Sequence, residues 1–242
     1  MGRSWAAVRL PPVGVGRPTE VAFAAMAGRL GGGMRRWAVA LAGRVIRRSW
    51  AWIRFVGSIG PNDEAGRRFG RFGEGSIICF PHNTIFNERY IHIGSGTMIG
   101  PDATLSAGMV PGQQCLSDPV VRIGDRCLIG KGSGIVGHFS IDIGDDVWTG
   151  HHVYITDQNH GYELLDRPIS AQSQPERPVS IGDGSWVGHG SVILPGATIG
   201  RHVVIGANSV VTGVIPDRCV AVGVPARVVR RWVDGEGWVR EP

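Results

Sequence analysis

Residues 181–212 read IGDGSWVGHGSVILPGATIGRHVVIGANSVVT, and every sixth position is aliphatic: Ile181, Val187, Ile193, Ile199, Ile205 and Val211. Glycine follows at Gly182, Gly188, Gly200 and Gly206. The same beat occurs earlier, at Ile93, Ile99 and Leu105, at Ile123, Ile129 and Ile135, and at Ile143, Thr149 and Ile155. A period of six matches neither a helix face nor one long strand, whose periods are 3.6 and 2. It predicts an all-β parallel β-helix, in which each hexad supplies one short side and a corner. The aliphatic residue points into the coil, and glycine is expected to ease the sharp turn that follows it.

Outward from this stretch, the solenoid is expected from about Phe72 to about Val222. The beat fails twice, over Ala107–Pro119 and Gly161–Pro178. Long interruptions of a regular array are commonly functional, and the second follows directly on Ile155-Thr156-Asp157-Gln158-Asn159-His160. Beyond the solenoid, PARVVRRW (Pro225–Trp232) reads as the start of a short helix before a polar tail. Residues 61–242 are thus one β-helix domain, and residues 1–60 an N-terminal extension.

The extension carries the basic character of the chain. Residues 1–60 hold ten arginines against Glu20 alone, whereas residues 61–242 hold fifteen basic and nineteen acidic side chains. The solenoid is mildly acidic, which argues against a nucleic-acid groove on the folded body. Residues 1–33 are rich in Gly, Pro and Ala and show no period. Residues 34–57 predict an amphipathic helix. At 100° per residue Arg36, Arg44, Arg47, Arg48 and Arg54 share one arc, and Val39, Val45, Ile46, Trp52 and Ile53 the opposite one. Two readings fit: a cap or packing element at the open end of the solenoid, or peripheral contact with an anionic membrane surface. Val21–Ala27 is too short for a secretory core, and no apolar run approaches the ~20 residues that span a bilayer. Cys79, Cys115, Cys127 and Cys219 show no CxxC pair, the pattern of reduced thiols in a cytoplasmic protein. Cys127 takes the hexad place that Val147 holds and is expected in the core.

His160 is the main candidate for chemistry. An imidazole is suited to remove a proton from an alcohol near neutral pH, and Asp157 or Asn159 is placed in the sequence to hold its tautomer. The same position is also compatible with a plain surface histidine. Tyr162, Glu163, Asp166, Arg167 and Glu176 on the long loop are candidate acceptor contacts.

Three stretches carry a resemblance: IDIGDDVWTGHHVYITDQNHG, SIGDGSWVGHGSVILPGATIGRHVVIGANSVVTGVIP and AVGVPARVVR. Residues 143–232 resemble the hexapeptide-repeat acyltransferases, in particular the maltose and galactoside O-acetyltransferases and those acting on lipopolysaccharide or exopolysaccharide. The resemblance implies a left-handed β-helix, a homotrimer, acetyl-CoA or another acyl-CoA as cosubstrate in the groove between neighbouring subunits, and a sugar, polysaccharide or glycolipid acceptor. It implies His160 as catalytic base, Trp186 and His189 beside the pantetheine arm, Ala207 and Thr212 at the pantetheine or the adenine end, and Arg227 and Arg230 near the CoA phosphates. No metal is implied. Two positions depart from the family pattern: Gly132 stands where an asparagine often assists the histidine, with Ser133 or His138 nearby, and Gly213 stands where a lysine often follows the threonine. Three other readings remain beside this one: a non-catalytic trimeric scaffold, an N-acyltransferase acting on an amino sugar, and a metal hydratase. The last is disfavoured because the chain lacks an H-x₄-H pair.

Overall fold

The computed structural model describes residues 32–241; the period-free stretch 1–31 lies outside them. Contacts divide the chain between Ala51 and Trp52, inside a single long helix, α1 (Gly32–Gly57). The basic arc of α1 and its apolar arc are both exposed, with Val39 at 53%, Ile46 at 67% and Trp52 at 65%. No helix among the described residues is long and apolar enough to cross a membrane.

The remainder is a left-handed parallel β-helix. Its first coil is β1 (Arg71–Phe72), β2 (Ile77–Ile78) and β3 (Ile85–Phe86), and its second is β4 (Ile91–Ile93), β5 (Met98–Ile99) and β6 (Thr104–Ala107). The third is β7 (Val121–Ile123), β8 (Leu128–Ile129) and β9 (Gly134–Gly137), and the fourth β10 (Ile141–Ile143), β11 (Trp148–Thr149) and β12 (Tyr154–Thr156). The fifth is β13 (Val179–Ile181), β14 (Trp186–Val187) and β15 (Val192–Ile193), and the sixth β16 (Thr198–Ile199), β17 (Val204–Ile205) and β18 (Val210–Val211). A last partial coil, β19 (Val214–Ile215) and β20 (Cys219–Gly223), runs into β21 (Ala226–Val233) and β22 (Gly237–Arg240).

Successive coils stack into three flat faces. The first holds β1 and every third strand through β19, the second holds β2 through β20 with β21 and β22 added, and the third holds β3 through β18. The hexad residues form interior columns: Ile93, Ile123, Ile143, Ile181, Ile199 and Ile215 pair rung by rung on the first face. Leu105, Ile135, Ile155, Ile193 and Val211 do so on the third. Burial of one such side chain contributes roughly 1.5–3 kcal/mol, so these columns dominate the stability of the fold. Thr149 is the polar exception, and its hydroxyl accepts the amide of Gly130 at 2.8 Å.

The glycine after the hexad residue serves a purpose other than easing a turn. Gly124 keeps an ordinary negative φ; a Cβ there would collide with Oδ1 of Asp145 and the backbone of Gly144 in the next coil. That aspartate is occupied: Asp125 Oδ1 accepts the amide of Ser95 at 2.7 Å, Asp145 Oδ1 that of Asp125 at 2.9 Å, and Asp183 Oδ1 that of Asp145 at 2.9 Å. The repeated Ile-Gly-Asp is therefore a vertical ladder of side-chain caps, and glycine makes room for it. Positive φ is found two residues later, at Gly96, Arg126, Asp146 and Gly184.

The expected helix at Pro225–Trp232 is corrected. Ala226–Val233 is a strand, antiparallel to β20 on one side and β22 on the other. β-Branched and aromatic residues favour a pleated strand, and β20 would otherwise present an open sheet edge. Trp232 and Trp238 face each other across the hairpin, with ring centroids 5.7 Å apart.

Candidate active site

Both interruptions of the beat leave the solenoid at the same corner, after the third face: residues 108–120 follow β6 and residues 157–178 follow β12. Between them the third coil turns that corner tightly, through His138, Phe139 and Ser140. The second loop has a built stem. The amide of Asn159 donates to Pro175 O at 3.1 Å, that of Gly161 to Ser173 O at 2.9 Å, and that of Arg177 to Asp157 O at 2.7 Å. Further out, the side-chain amide of Gln172 accepts from Leu164 N at 3.0 Å and donates to Leu164 O at 2.8 Å, closing the loop on itself. Asp166 and Arg167 pair at its tip, holding the Asp166 carboxyl below its usual range.

His160 lies on the outgoing strand of this stem with its ring exposed and its amide on Asn159 Oδ1 at 2.9 Å. It borders a cleft of about 380 Å³. The loop side of the cleft is formed by Asn159, His160, Tyr162 and Glu163, with Pro175 and Arg177 returning beside them. The solenoid side comes from Leu194, Pro195 and Thr212, at the same corner of the fifth and sixth coils. An exposed imidazole, a phenol, a carboxylate and a guanidinium therefore share one concave surface, a set suited to positioning a polar acceptor and moving its proton.

Of the residues singled out from the sequence, Asn159, His160, Tyr162, Glu163 and Thr212 meet in this cleft. Asp157 does not. It is fully buried, and its carboxylate accepts the amides of His138 at 2.8 Å, Phe139 at 2.8 Å and Ser140 at 2.6 Å. It caps the corner beneath the loop and makes no hydrogen bond to His160, so a structural role replaces the expected hold on the tautomer. Arg177, Leu194 and Pro195 were missed. They come from distant hexads, and no local motif ties them to His160.

The residues predicted to hold the donor, Thr212 apart, lie along a different side of the same chain. Trp148, Trp186, Val204, Val220 and Arg230 succeed one another in register up the outer surface of the second face. Trp186 is half exposed, and Arg227 and Arg230 are exposed on β21. His189 and Ala207 sit at the corner between second and third faces, where the His189 ring lies 6.4 Å from that of His151 and 5.6 Å from that of His152. Among the described residues no group of three or more His, Cys, Asp or Glu side chains is arranged to hold a metal ion. Gly132 is at this corner too, in the left-handed region at φ 68°, and a Cβ there would come within 2.5 Å of the His152 ring. An asparagine here would require the exposed His152 ring from the coil above to move.

Residues 178–213 match the bacterial transferase hexapeptide family (six repeats), and residues 120–156 match the hexapeptide repeat of succinyl-transferase. The chain is 40% identical over 110 residues to a probable acetyltransferase, Rv3034c, of Mycobacterium tuberculosis, covering 46% of this chain and 37% of that protein. It is 40% identical over 163 residues to the putative lipopolysaccharide biosynthesis O-acetyl transferase WbbJ of Escherichia coli K12, covering 64% of this chain and 79% of that one. The galactoside O-acetyltransferase of the same organism is 30% identical over 152 residues, covering 61% and 66%. Among solved structures, a variant of the Bacillus cereus N-acyltransferase AntD superposes with a TM-score of 0.60 at 21% identity, covering 71% of this chain and 88% of that one, a likeness of fold.

Proposed function

The chain belongs to the hexapeptide-repeat acetyltransferases, and from that premise we propose that it transfers an acetyl group from acetyl-CoA to a hydroxyl of a sugar, polysaccharide or glycolipid, with His160 as general base. The observation that carries this reading is the place of His160 on the lip of a cleft whose opposite wall, Thr212, belongs to the repeat core. His160 removes the proton of the acceptor hydroxyl as its oxygen bonds to the thioester carbonyl carbon. The tetrahedral intermediate then collapses, the C–S bond breaks, and the imidazolium returns the proton to the departing thiolate. General-base assistance of this kind contributes roughly 10²- to 10⁴-fold. Asn159, Tyr162, Glu163 and Arg177 orient the acceptor.

The separation of the two residue groups supports a trimer with shared sites. Trp186, His189, Ala207, Arg227 and Arg230 lie on a side of the chain away from the His160 cleft, so a donor held by them reaches the histidine most simply across a subunit boundary. The solenoid then contributes the base from one copy and much of the donor groove from the next.

The acceptor reading extends to the membrane. Residues 32–57 contain six arginines and no acidic residue. The five arginines of the basic arc and the apolar residues of the opposite one are exposed. An amphipathic helix of this composition lies in an anionic lipid surface, which would place a cytoplasmic enzyme beside a lipid-linked acceptor.

Calorimetric titration with acetyl-CoA and longer acyl-CoAs, together with an acceptor screen, tests the central reading. Wild type and His160→Ala are both expected to bind the donor saturably, and the variant to lose at least about a hundredfold in turnover. Absence of CoA binding would leave a scaffold. Preference for an amine acceptor would convert the assignment to N-transfer.

A further inference from the structure

The loop stem rests on a histidine that the chemistry above does not use. The His138 side chain is 7% exposed, and its Nδ1 has no hydrogen-bond partner. Buried polar atoms are rarely left so, because the lost hydration is not replaced. Two more unpartnered buried atoms, Oε1 of Gln158 and Oε1 of Gln174, belong to the two strands of the same stem. The nearest complement to His138 is Glu176, whose Oε1 is 3.7 Å from Nδ1. That pair stands roughly half an ångström outside hydrogen-bond range. The other carboxylate beside His138, that of Asp157, is already committed to backbone amides, including His138's own.

The position of Glu176 gives the contact its consequence. Its neighbours Pro175 and Arg177 both line the His160 cleft, and the residue itself bridges to Gln158 across the stem. Its carboxylate reaches the tight corner of the coil below. A shift of the Glu176 backbone toward His138 would carry Pro175 and Arg177, and with them one wall of the cleft, toward the solenoid.

We propose that His138 is a positioning residue for acyl transfer: its Nδ1–H closes on Glu176 when the acceptor occupies the cleft, seating the stem so that His160, Pro175 and Arg177 take their working positions. The effect on turnover rests on the reading of His160 as base; the seating of the stem does not.

Amide hydrogen exchange and steady-state kinetics on the full chain test both parts. The amides of Asn159, Gly161 and Arg177 report the stem, since each donates across it. His138→Phe keeps the ring volume without the donor, Glu176→Met removes the acceptor, and His138→Asn restores a donor near the Nδ1 position. With a saturating galactoside as the acceptor probe, each of the first two variants is expected to speed exchange at these amides about tenfold and to lower kcat about tenfold, with KM for acetyl-CoA unchanged. The double variant should be no worse than the poorer single one, and His138→Asn should recover most of the loss. Wild-type exchange rates in His138→Phe, or additive losses in the double variant, would refute the latch. Faster exchange with undiminished kcat would refute the positioning role. If the wild-type protein transfers no acyl group, the proposed activity falls, and the latch is decided by exchange alone: a saturating galactoside must slow these amides in wild type and fail to slow them in His138→Phe.

Discussion

Asp157 grips the amide of Ser140 at 2.6 Å and those of His138 and Phe139 at 2.8 Å, from a position with no solvent exposure. The residue three places before His160 thus faces down into the stack while the histidine faces out. The carboxylate is the hinge pin between solenoid and loop.

Asp157→Ala would leave three amides without their acceptor. The expected loss of stability is about 3 kcal/mol or more, read from the urea midpoint at unchanged slope. Turnover should fall with it because the root of the loop is released, whereas acetyl-CoA affinity should hold. An Asp157→Ala protein of wild-type stability would contradict the capping role.

Gly132→Asn introduces the asparagine that the family resemblance implies and forces its Cβ against the His152 ring. Asparagine tolerates a positive φ and the exposed His152 ring can turn aside, so the predicted penalty is small, about 1 kcal/mol or less, and comes from displacing that ring. Adding His152→Ala should recover most of it, and thermal melts of the two single variants and the double would show the coupling. Additive effects would mean that the ring is not the obstacle.

The four cysteines are free, and burial pushes each thiol above its ordinary value. Thiolate is correspondingly scarce at neutral pH. Cys79 and Cys115, which are partly exposed, should be the ones labelled by an alkylating reagent in the native state, and faster as pH rises. Cys127 and Cys219 should react only on unfolding. Rapid native labelling of Cys127, counted by intact mass, would exclude it from the core.

Full-length protein should sediment with vesicles containing anionic lipid and much less with zwitterionic ones. Replacing Arg36, Arg44, Arg47, Arg48 and Arg54 by glutamine should weaken the partition at least about a hundredfold, since each basic residue near the surface is worth about 1 kcal/mol. High salt should act in the same direction. Equal partition of wild type and variant would leave α1 as a cap or packing element.

The hexad beat made the solenoid legible because burial repeats with the coil: each sixth side chain has no alternative but the interior. Its two failures located both loops for the same reason. The site was only half legible. His160 carries its own motif, whereas Arg177, Leu194 and Pro195 are joined to it by stacking, which leaves no mark along the chain. Asp157 misled because adjacency in sequence suggested a shared task, although neighbours at a corner point to different partners. PARVVRRW misled because its charges hid a run of strand-forming valines and tryptophan. The Ile-Gly-Asp signature was seen, but its cause lies between coils: glycine answers to the aspartate of the next coil, a relation no single hexad contains.

The stem that ties Arg177 back to Asp157 makes the long loop a detour that starts and finishes at one rung. Lengthening such a detour costs little, because closure entropy grows only slowly with loop length. Every coil above and below keeps its partners whatever the detour contains. If the loop holds the acceptor as proposed, descent within such a lineage can rewrite the acceptor by exchanging one surface segment while inheriting the stack unaltered, and grafting residues 158–176 onto a related solenoid is the laboratory form of the same event.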